Sequence, residues 1–438
     1  MGRDDTVGCE GIMVTSGMRA TESAVALTGA RRPWRTAAAA LVAGAVLLTG
    51  ACSGDEKSPS WQGGGQAQGQ PGDAPRASPA PAEPQTTALI TAPAAEAKNV
   101  LAATDVQFST ENGEEATIEV KDEDGKAVKG AVLPGEKTWR PDKQLQYGTT
   151  YTATVTTSSA DGKTGPRSST FTTMPKPSKL VRVTSFLGDG QTVGVGMPMI
   201  VQFGQSVPSK YRADVQRRMT VKTTPEQVGI WHWVSPKEIH YRPRTYWKPN
   251  TKIFYKVQLG GVKMADDAYG RSDFTVDLKT GRALVMTVDN KTKKMTVTRN
   301  GKTIKTIPVS LGKPKTPSSS GTMIVMEKKR KTVFDTRAEL GPEEGYRTDI
   351  DYAQRITWSG QFIHAAPWSE GDQGTRNVSH GCVNVSMSMG AWLFNQTMLG
   401  DPITVKGTEE KLQNGNGWTD WNMSWDQYVK GSALPLDA

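Results

Sequence analysis

Two stretches of this sequence can be laid on one another at a constant offset, and that correspondence limits the fold more than any other feature. Trp139-Arg140-Pro141 falls on Tyr241-Arg242-Pro243, a shift of 102 residues (241 − 139). At the same shift, without a gap, Leu145 meets Trp247, Gly148 meets Asn250, Thr149 meets Thr251 and Val155 meets Val257. A period of about 100 residues is the size of one immunoglobulin-like sandwich. Tyr151, Ala153 and Val155 alternate with threonines, as in a strand with one buried face, and Asn112-Gly113, Asp124-Gly125 and Asp161-Gly162 are hairpin turn signals. Two β-sandwiches are therefore expected at 99–176 and 177–281. Gly188-Asp189-Gly190 and Gly194-Val195-Gly196 in the second lack the lysine and the strand-to-helix setting of a phosphate loop, and are read as turns.

A third module is expected at 282–407. Leu284, Met286 and Val288 alternate, followed by Met295 and Val297 and then Ile304 and Ile307, with Asn300-Gly301 as a turn. This is a meander of short strands. Lys291, Lys293, Lys294, Lys302, Lys305, Lys313 and Lys315 decorate it. A solvated face explains them, with a patch for an anionic polymer as the other reading. The last stretch, 408–438, carries Trp418, Trp421 and Trp425 and is expected to pack on the third module as a tail. The net charge of +9 admits nucleic acid, a membrane surface or an anionic polymer as partner. No stacking motif or recognition helix accompanies it, so no nucleic-acid partner is expected.

The N-terminal region reads as an address. Arg31, Arg32 and Arg35 precede an apolar run from Ala37 to Leu48, too short to span a bilayer as a mature helix. The run ends in Leu48-Thr49-Gly50-Ala51-Cys52, which resembles a bacterial lipoprotein signal with Cys52 as the lipidated residue. Residues 1–52 are thus expected to be a signal peptide with an over-long start, and the protein an exported, membrane-anchored lipoprotein. Residues 53–98, rich in Gly, Gln, Pro, Ala and Ser, are expected to form a disordered tether, since they bury too little to offset their ordering entropy.

Cysteine usage narrows the chemistry. Of Cys9, Cys52 and Cys382, the first lies before the cleavage point and the second is acylated, leaving one mature thiol. An unpaired thiol outside the cell is a liability unless its reactivity is used. Cys382 lies in Ser379-His380-Gly381-Cys382-Val383-Asn384, on a tight turn expected just ahead of a helix capped by Ser388 and stopped by Gly400. Phe362-Ile363-His364 reads as a strand end, and Ala365-Ala366-Pro367-Trp368 follows it. A thiol becomes an efficient nucleophile only with a neighbouring base or a positive field. His364 and His380, two of four histidines, lie 18 and 2 residues before the cysteine (382 − 364 and 382 − 380). Gly381 lets the backbone approach a carbonyl, so the amides of Gly381 and Cys382 are candidate oxyanion donors. A zinc site of His364, His380 and Cys382 is a second reading, but the motif offers no fourth ligand. A catalytically silent wall-binding protein is a third.

The segment resembles the signature of the L,D-transpeptidase catalytic domain. Two immunoglobulin-like modules ahead of it resemble the multi-domain branch of that family in high-GC Gram-positive bacteria. The likeness runs from about residue 100 onward and includes Gly345-Tyr346-Arg347-Thr348-Asp349 and Trp421-Asn422-Met423-Ser424-Trp425-Asp426. It implies a mainly β fold: two immunoglobulin-like sandwiches, then a catalytic β-sandwich with a short helix after the cysteine. It implies Cys382 as the nucleophile that takes the acyl group of a tetrapeptide stem and releases D-alanine, with His364 as base. The implied product is a 3→3 cross-link to the diamino-acid amine of a second peptidoglycan stem, with hydrolysis by water (L,D-carboxypeptidase activity) as the alternative. His380, Gly381, Ser379 and Asn384 would shape the turn and the oxyanion hole, Asn384 and Ser379 also touching substrate. Tyr346 and Trp368 would line the cleft, and the Ala365 carbonyl would orient the imidazole where many relatives carry serine. No cofactor or metal is implied, and carbapenem β-lactams are the implied covalent inhibitors. His232 and His240 are read as structural.

Overall fold

The computed structural model describes residues 87–436, apart from 112–114, 159–165, 336, 338–340, 342, 344 and 346. The signal segment with Cys9 and Cys52, most of the tether, the turns Asn112-Gly113 and Asp161-Gly162, and Tyr346 lie outside the described residues.

The first sandwich pairs two four-stranded sheets. One holds Thr87–Ala92, Val106–Glu111, Thr138–Pro141 and Gly130–Val132; the other holds Ala97–Val100, Arg167–Thr173, Thr150–Ser158 and Glu115–Asp122. Val106, Val120, Trp139, Leu145, Tyr151, Ala153 and Phe171 meet between them. Residues 87–98 were expected in the tether, and here the structure corrects the boundary. Ala88 is buried and Ile90 packs against the core, while the backbone of Thr87–Ala92 pairs antiparallel with Val106–Glu111. A short apolar alternation, hidden in Pro/Ala-rich composition, was enough to add a strand to an existing sheet.

The second sandwich repeats the first. Trp139 and Tyr241 lie on equivalent buried strand positions, Leu145 and Trp247 are buried, and so are Val155 and Val257 and the pair Thr149 and Thr251. Gly148 and Asn250 share a left-handed backbone, φ 66° and 59°, the conformation that favours these two residue types. Its sheets run Val183–Ser185, Met199–Phe203, Glu238–Pro243, Gly229–Ser235 and Thr192–Val193, Phe274–Thr280, Lys252–Val257, Met219–Thr224. A helix, Ser209–Gln216, is an insertion that the strand pattern does not announce.

The glycine pairs of this module are turns, as expected, and one of them also forms a seam. A Cβ on Gly194 would lie 2.3 Å from the Asp401 nitrogen, and one on Gly196 would lie 2.9 Å from the Gly400 oxygen. The amides of Gly194 and Gly196 donate to the carbonyls of Leu399 and Gly400 at 2.6 and 2.9 Å. Only a residue without a side chain lets the second sandwich and the third module come this close.

The third module has a six-stranded sheet, ordered Lys302–Pro308, Lys294–Arg299, Leu284–Asp289, Pro402–Lys406, Ser319–Ile324 and Glu410–Lys411. Asn300 and Gly301, both at positive φ, make the expected tight hairpin. Facing it is a four-stranded sheet of Glu327–Asp335, Arg347–Arg355, Phe362–Ala365 and Val383–Val385. Leu284, Met286, Val288, Met295, Val297, Ile363, Val383, Val385 and Leu393 fill the space between.

The C-terminal stretch does not pack on the third module alone, contrary to expectation. Trp418 meets Trp358 of that module and Phe186 of the second sandwich, while Trp421 meets Tyr246 and donates to the Gly196 carbonyl at 2.6 Å. Arg242 of the second sandwich, buried, lies over the rings of Tyr428, Trp421 and Trp425 at 4.1, 4.4 and 5.4 Å. His240 is held between Asp420 and Glu238, and His232 stacks on Tyr428. Both histidines are structural, as read.

Candidate active site

His364 and Cys382 reach one pocket because two short strands run parallel. Phe362–Ala365 pairs with Val383–Val385 so that His364 stands opposite Asn384, and Cys382 precedes Asn384 by two. Side chains two apart on a strand share a face, so His364, Cys382 and Asn384 line the same side of the sheet. They open into a cavity of about 450 Å³ also bounded by Thr348, Trp368, Ser369, Asp372, Val378, Ser379 and His380. A larger cleft, about 1030 Å³, lies between the two sandwiches; its lining holds no thiol and no histidine.

The imidazole has a defined tautomer. Nδ1 of His364 lies 2.8 Å from the Ala365 carbonyl, which can only accept, so Nδ1 carries the proton and Nε2 keeps its lone pair. The carbonyl expected to orient the base does so with alanine in place. Alanine also fits the packing, because a Cβ on Gly390 would come within 2.9 Å of the Ala365 Cβ. Burial pushes the His364 pKa down to about 4, opposed by the Ala365 hydrogen bond. Burial pushes the Cys382 thiol up to about 11, with the Phe362 backbone and Arg355 pulling the other way. The sulfur makes a long contact, 3.9 Å, to the Gly360 carbonyl. The resting pair is therefore a neutral thiol and a neutral base rather than the preformed ion pair that a positive field would give.

The turn around the thiol is built by hydroxyls. Ser379 Oγ donates to the Cys382 carbonyl at 2.7 Å and accepts from the Gly381 amide at 3.1 Å. Ser318 Oγ donates to the Gly381 carbonyl at 2.7 Å. Gly381 sits at φ 117°, and a Cβ there would meet nothing nearer than 3.6 Å, so backbone conformation rather than space demands glycine. Its amide was expected to face an oxyanion; the structure engages it with Ser379 instead. Buried Asn384 donates from Nδ2 to Ser369 Oγ, which itself donates to the Ala366 carbonyl. Asn384 Oδ1 has no partner among the described residues and is an acceptor at the pocket.

His380 lines the mouth but is exposed, with Nε2 3.0 Å from Lys313 Nζ. Trp368, 59% exposed, lies 6.0 Å from the His364 ring and forms an open wall. Among the described residues no three His, Cys, Asp or Glu side chains gather as a metal-binding set.

The family described as Bacterial Ig domain matches residues 97–263, and that described as L,D-transpeptidase catalytic domain matches 284–405. L,D-transpeptidase 2 of Mycobacterium tuberculosis (strain CDC 1551 / Oshkosh) is 33% identical over 332 residues, 75% of this chain and 80% of that protein. The chain belongs to the L,D-transpeptidase family. L,D-transpeptidase 5 of Mycobacterium tuberculosis (strain ATCC 25618 / H37Rv) is 31% identical over 365 residues, 81% of this chain and 79% of that one. A solved structure of the LD transpeptidase LdtMt1 in complex with imipenem shares 35% identity, covering 52% of this chain and all of that one, at TM-score 0.45.

In this chain the thiol is not placed directly ahead of a helix. The strand Val383–Val385 intervenes, and the helix is Met387–Gln396, capped by Ser386, whose Oγ accepts from the Met389 amide. Ser388, the expected cap, lies inside it, and the helix ends before Gly400. The helix dipole therefore starts well away from the sulfur. Ser318, Ser369 and Phe334 were missed. The first two sit in ordinary serine contexts with no sequence signal, and Phe334 reaches the site from a hairpin in front of it.

Proposed function

We propose that this protein cross-links peptidoglycan by acyl transfer through a thioester on Cys382, releasing D-alanine from a tetrapeptide stem and passing the acyl group to the diamino-acid amine of a second stem as a 3→3 link. The observation that carries the reading is the His364 tautomer: Nδ1 is committed to the Ala365 carbonyl, so Nε2 is a ready acceptor on the face of the sheet that Cys382 occupies. As sulfur attacks the stem carbonyl, its proton passes to Nε2; the imidazolium then protonates the departing D-alanine amine. Neutral His364 next takes a proton from the acceptor amine as that nitrogen displaces sulfur, and hands it to the departing thiolate to restore the neutral pair. The Cys382 amide supports the developing oxyanion, Asn384 Oδ1 accepts from a substrate N–H, and Trp368 flanks the stem. His380 shapes the mouth. A strained β-lactam such as a carbapenem offers the same sulfur an equivalent carbonyl, which makes it a covalent inhibitor. The segment ending at Cys52 supports an exported lipoprotein anchored at the membrane and facing the wall.

The test incubates the purified chain with a disaccharide-tetrapeptide and weighs the products. Dimers lacking one D-alanine are expected; tripeptide alone would make the enzyme an L,D-carboxypeptidase. Cys382→Ala should remove both products and the carbapenem adduct, and persistence of either would reject the thioester route.

A further inference from the structure

Phe334 belongs to the strand Glu327–Asp335, opposite Thr348 in the hairpin with Arg347–Arg355, and its ring leans onto the site from that hairpin. It meets His364 edge-on, with centroids 5.4 Å apart at 80°, and Phe362 at 4.5 Å. It closes the small cluster formed by Ile350, Ala353, Phe362 and Cys382. The imidazole thus neighbours both Phe334 and the far more exposed Trp368. Trp368 leaves an entrance, whereas Phe334 forms the apolar side.

We propose that Phe334 is a positioning residue of this site: its ring keeps water off the Cys382–His364 pair and fixes the imidazole plane, so the thiol surrenders its proton only during attack. The proposal rests on the acyl-transfer reading for its purpose but not for its measurement. Burial is the leading cause of both pKa displacements, and Phe334 is a partly buried apolar group in ring contact with the base. Of the charges around the pair, Arg355 pulls the thiol downward against burial, and several have partners of their own. Arg355, on the neighbouring strand, pairs with Glu327 and covers Phe362; Asp335 pairs with Arg337 and faces Arg347 in register. On the loop side Asp372 pairs with Arg376, and Lys313 contacts His380. The strand Arg347–Arg355 also carries Asp349, Asp351 and Tyr352, whereas Phe362–Ala365, Val383–Val385 and the helix Met387–Gln396 hold no titratable side chain besides His364.

Iodoacetamide alkylation of the full chain, followed at the Cys382 peptide by mass spectrometry across a pH series, reads the thiol's inflection. Phe334→Ala should lower that inflection by about one pH unit, raising the rate about tenfold at any pH well below it. Greater access alone would lift the plateau without moving the inflection. Phe334→Leu, which keeps apolar bulk, should hold the inflection near its native value. An unmoved inflection in Phe334→Ala, or an equal movement in Phe334→Leu, overturns the proposal. Should Phe334→Ala not fold, Phe334→Val must shift the inflection downward, and no shift there overturns it equally. Native protein that makes neither dimer nor tripeptide would reject the acyl-transfer reading while leaving this profile as measured.

Discussion

His364 and His240 are both all but fully buried, at 4% and 1% exposure, and they ionise in opposite directions. His240 has a carboxylate on each nitrogen, Asp420 at 2.9 Å on Nδ1 and Glu238 at 2.9 Å on Nε2, and these lift it to about 9 against the cost of burial. His364 has one neutral carbonyl, and burial carries it to about 4. Equal burial therefore says nothing about role; the partners decide it. A histidine satisfied on both nitrogens is a cationic clasp. His364, satisfied on a single nitrogen and lining the pocket of Cys382, keeps a lone pair for chemistry.

The comparison breaks most sharply at the catalytic end. His364→Ala should lower the rate of Cys382 acylation by a carbapenem by about 10²–10⁴, the span typical of a lost general base, measured by intact mass against time. In the native protein the rate should persist at mildly acidic pH and fall only as pH drops towards 4, because the reactive form is the neutral imidazole. At the other end, His240→Gln leaves Asp420 and Glu238 without their cation and should cost about 3–5 kcal/mol of stability in urea unfolding. Acylation per folded molecule should be unchanged, and a parallel loss of rate would erase the distinction between the two residues. A smaller effect tests the sign. His240 has a folded pKa near 9, above its ordinary value of 6.5, so its contribution is full below about 6.5 and is lost as pH rises through 9. Stability should drop by on the order of 3 kcal/mol more between pH about 6 and about 10 in the native protein than in His240→Gln. The least effect serves as reference: Ser386→Ala removes a helix cap touching neither histidine and should cost about 1 kcal/mol in the same unfolding measurement.

The parts of this picture that were legible in the sequence are local or repeated. The two sandwiches showed themselves because equivalent residues recur at one offset, and the cysteine with its upstream histidine stood out by residue type. The Ala365 contact was implied by the family resemblance rather than by the residues themselves. What stayed hidden is carried by distant partners. Nothing near Gly194 or Gly196 points to Gly400 and Asp401, and His240 meets Asp420 across 180 residues. Phe334 lies on a hairpin whose strands were not recognised, because lysines and an aspartate interrupt its alternation. The boundary at residue 87 and the cap at Ser386 were missed by short margins, where a few backbone hydrogen bonds outweighed composition.

Arg242 and His240 are built into the second sandwich, yet the groups that neutralise and cover them, Asp420, Trp421, Trp425 and Tyr428, arrive only after the whole third module has been synthesised. Until then the sandwich carries Arg242 and His240 without their final company on an unfinished face. Assembly of this chain therefore has a built-in order: the ribosome delivers the bolt only after both of the parts it fastens, which until then meet at the glycine seam without it.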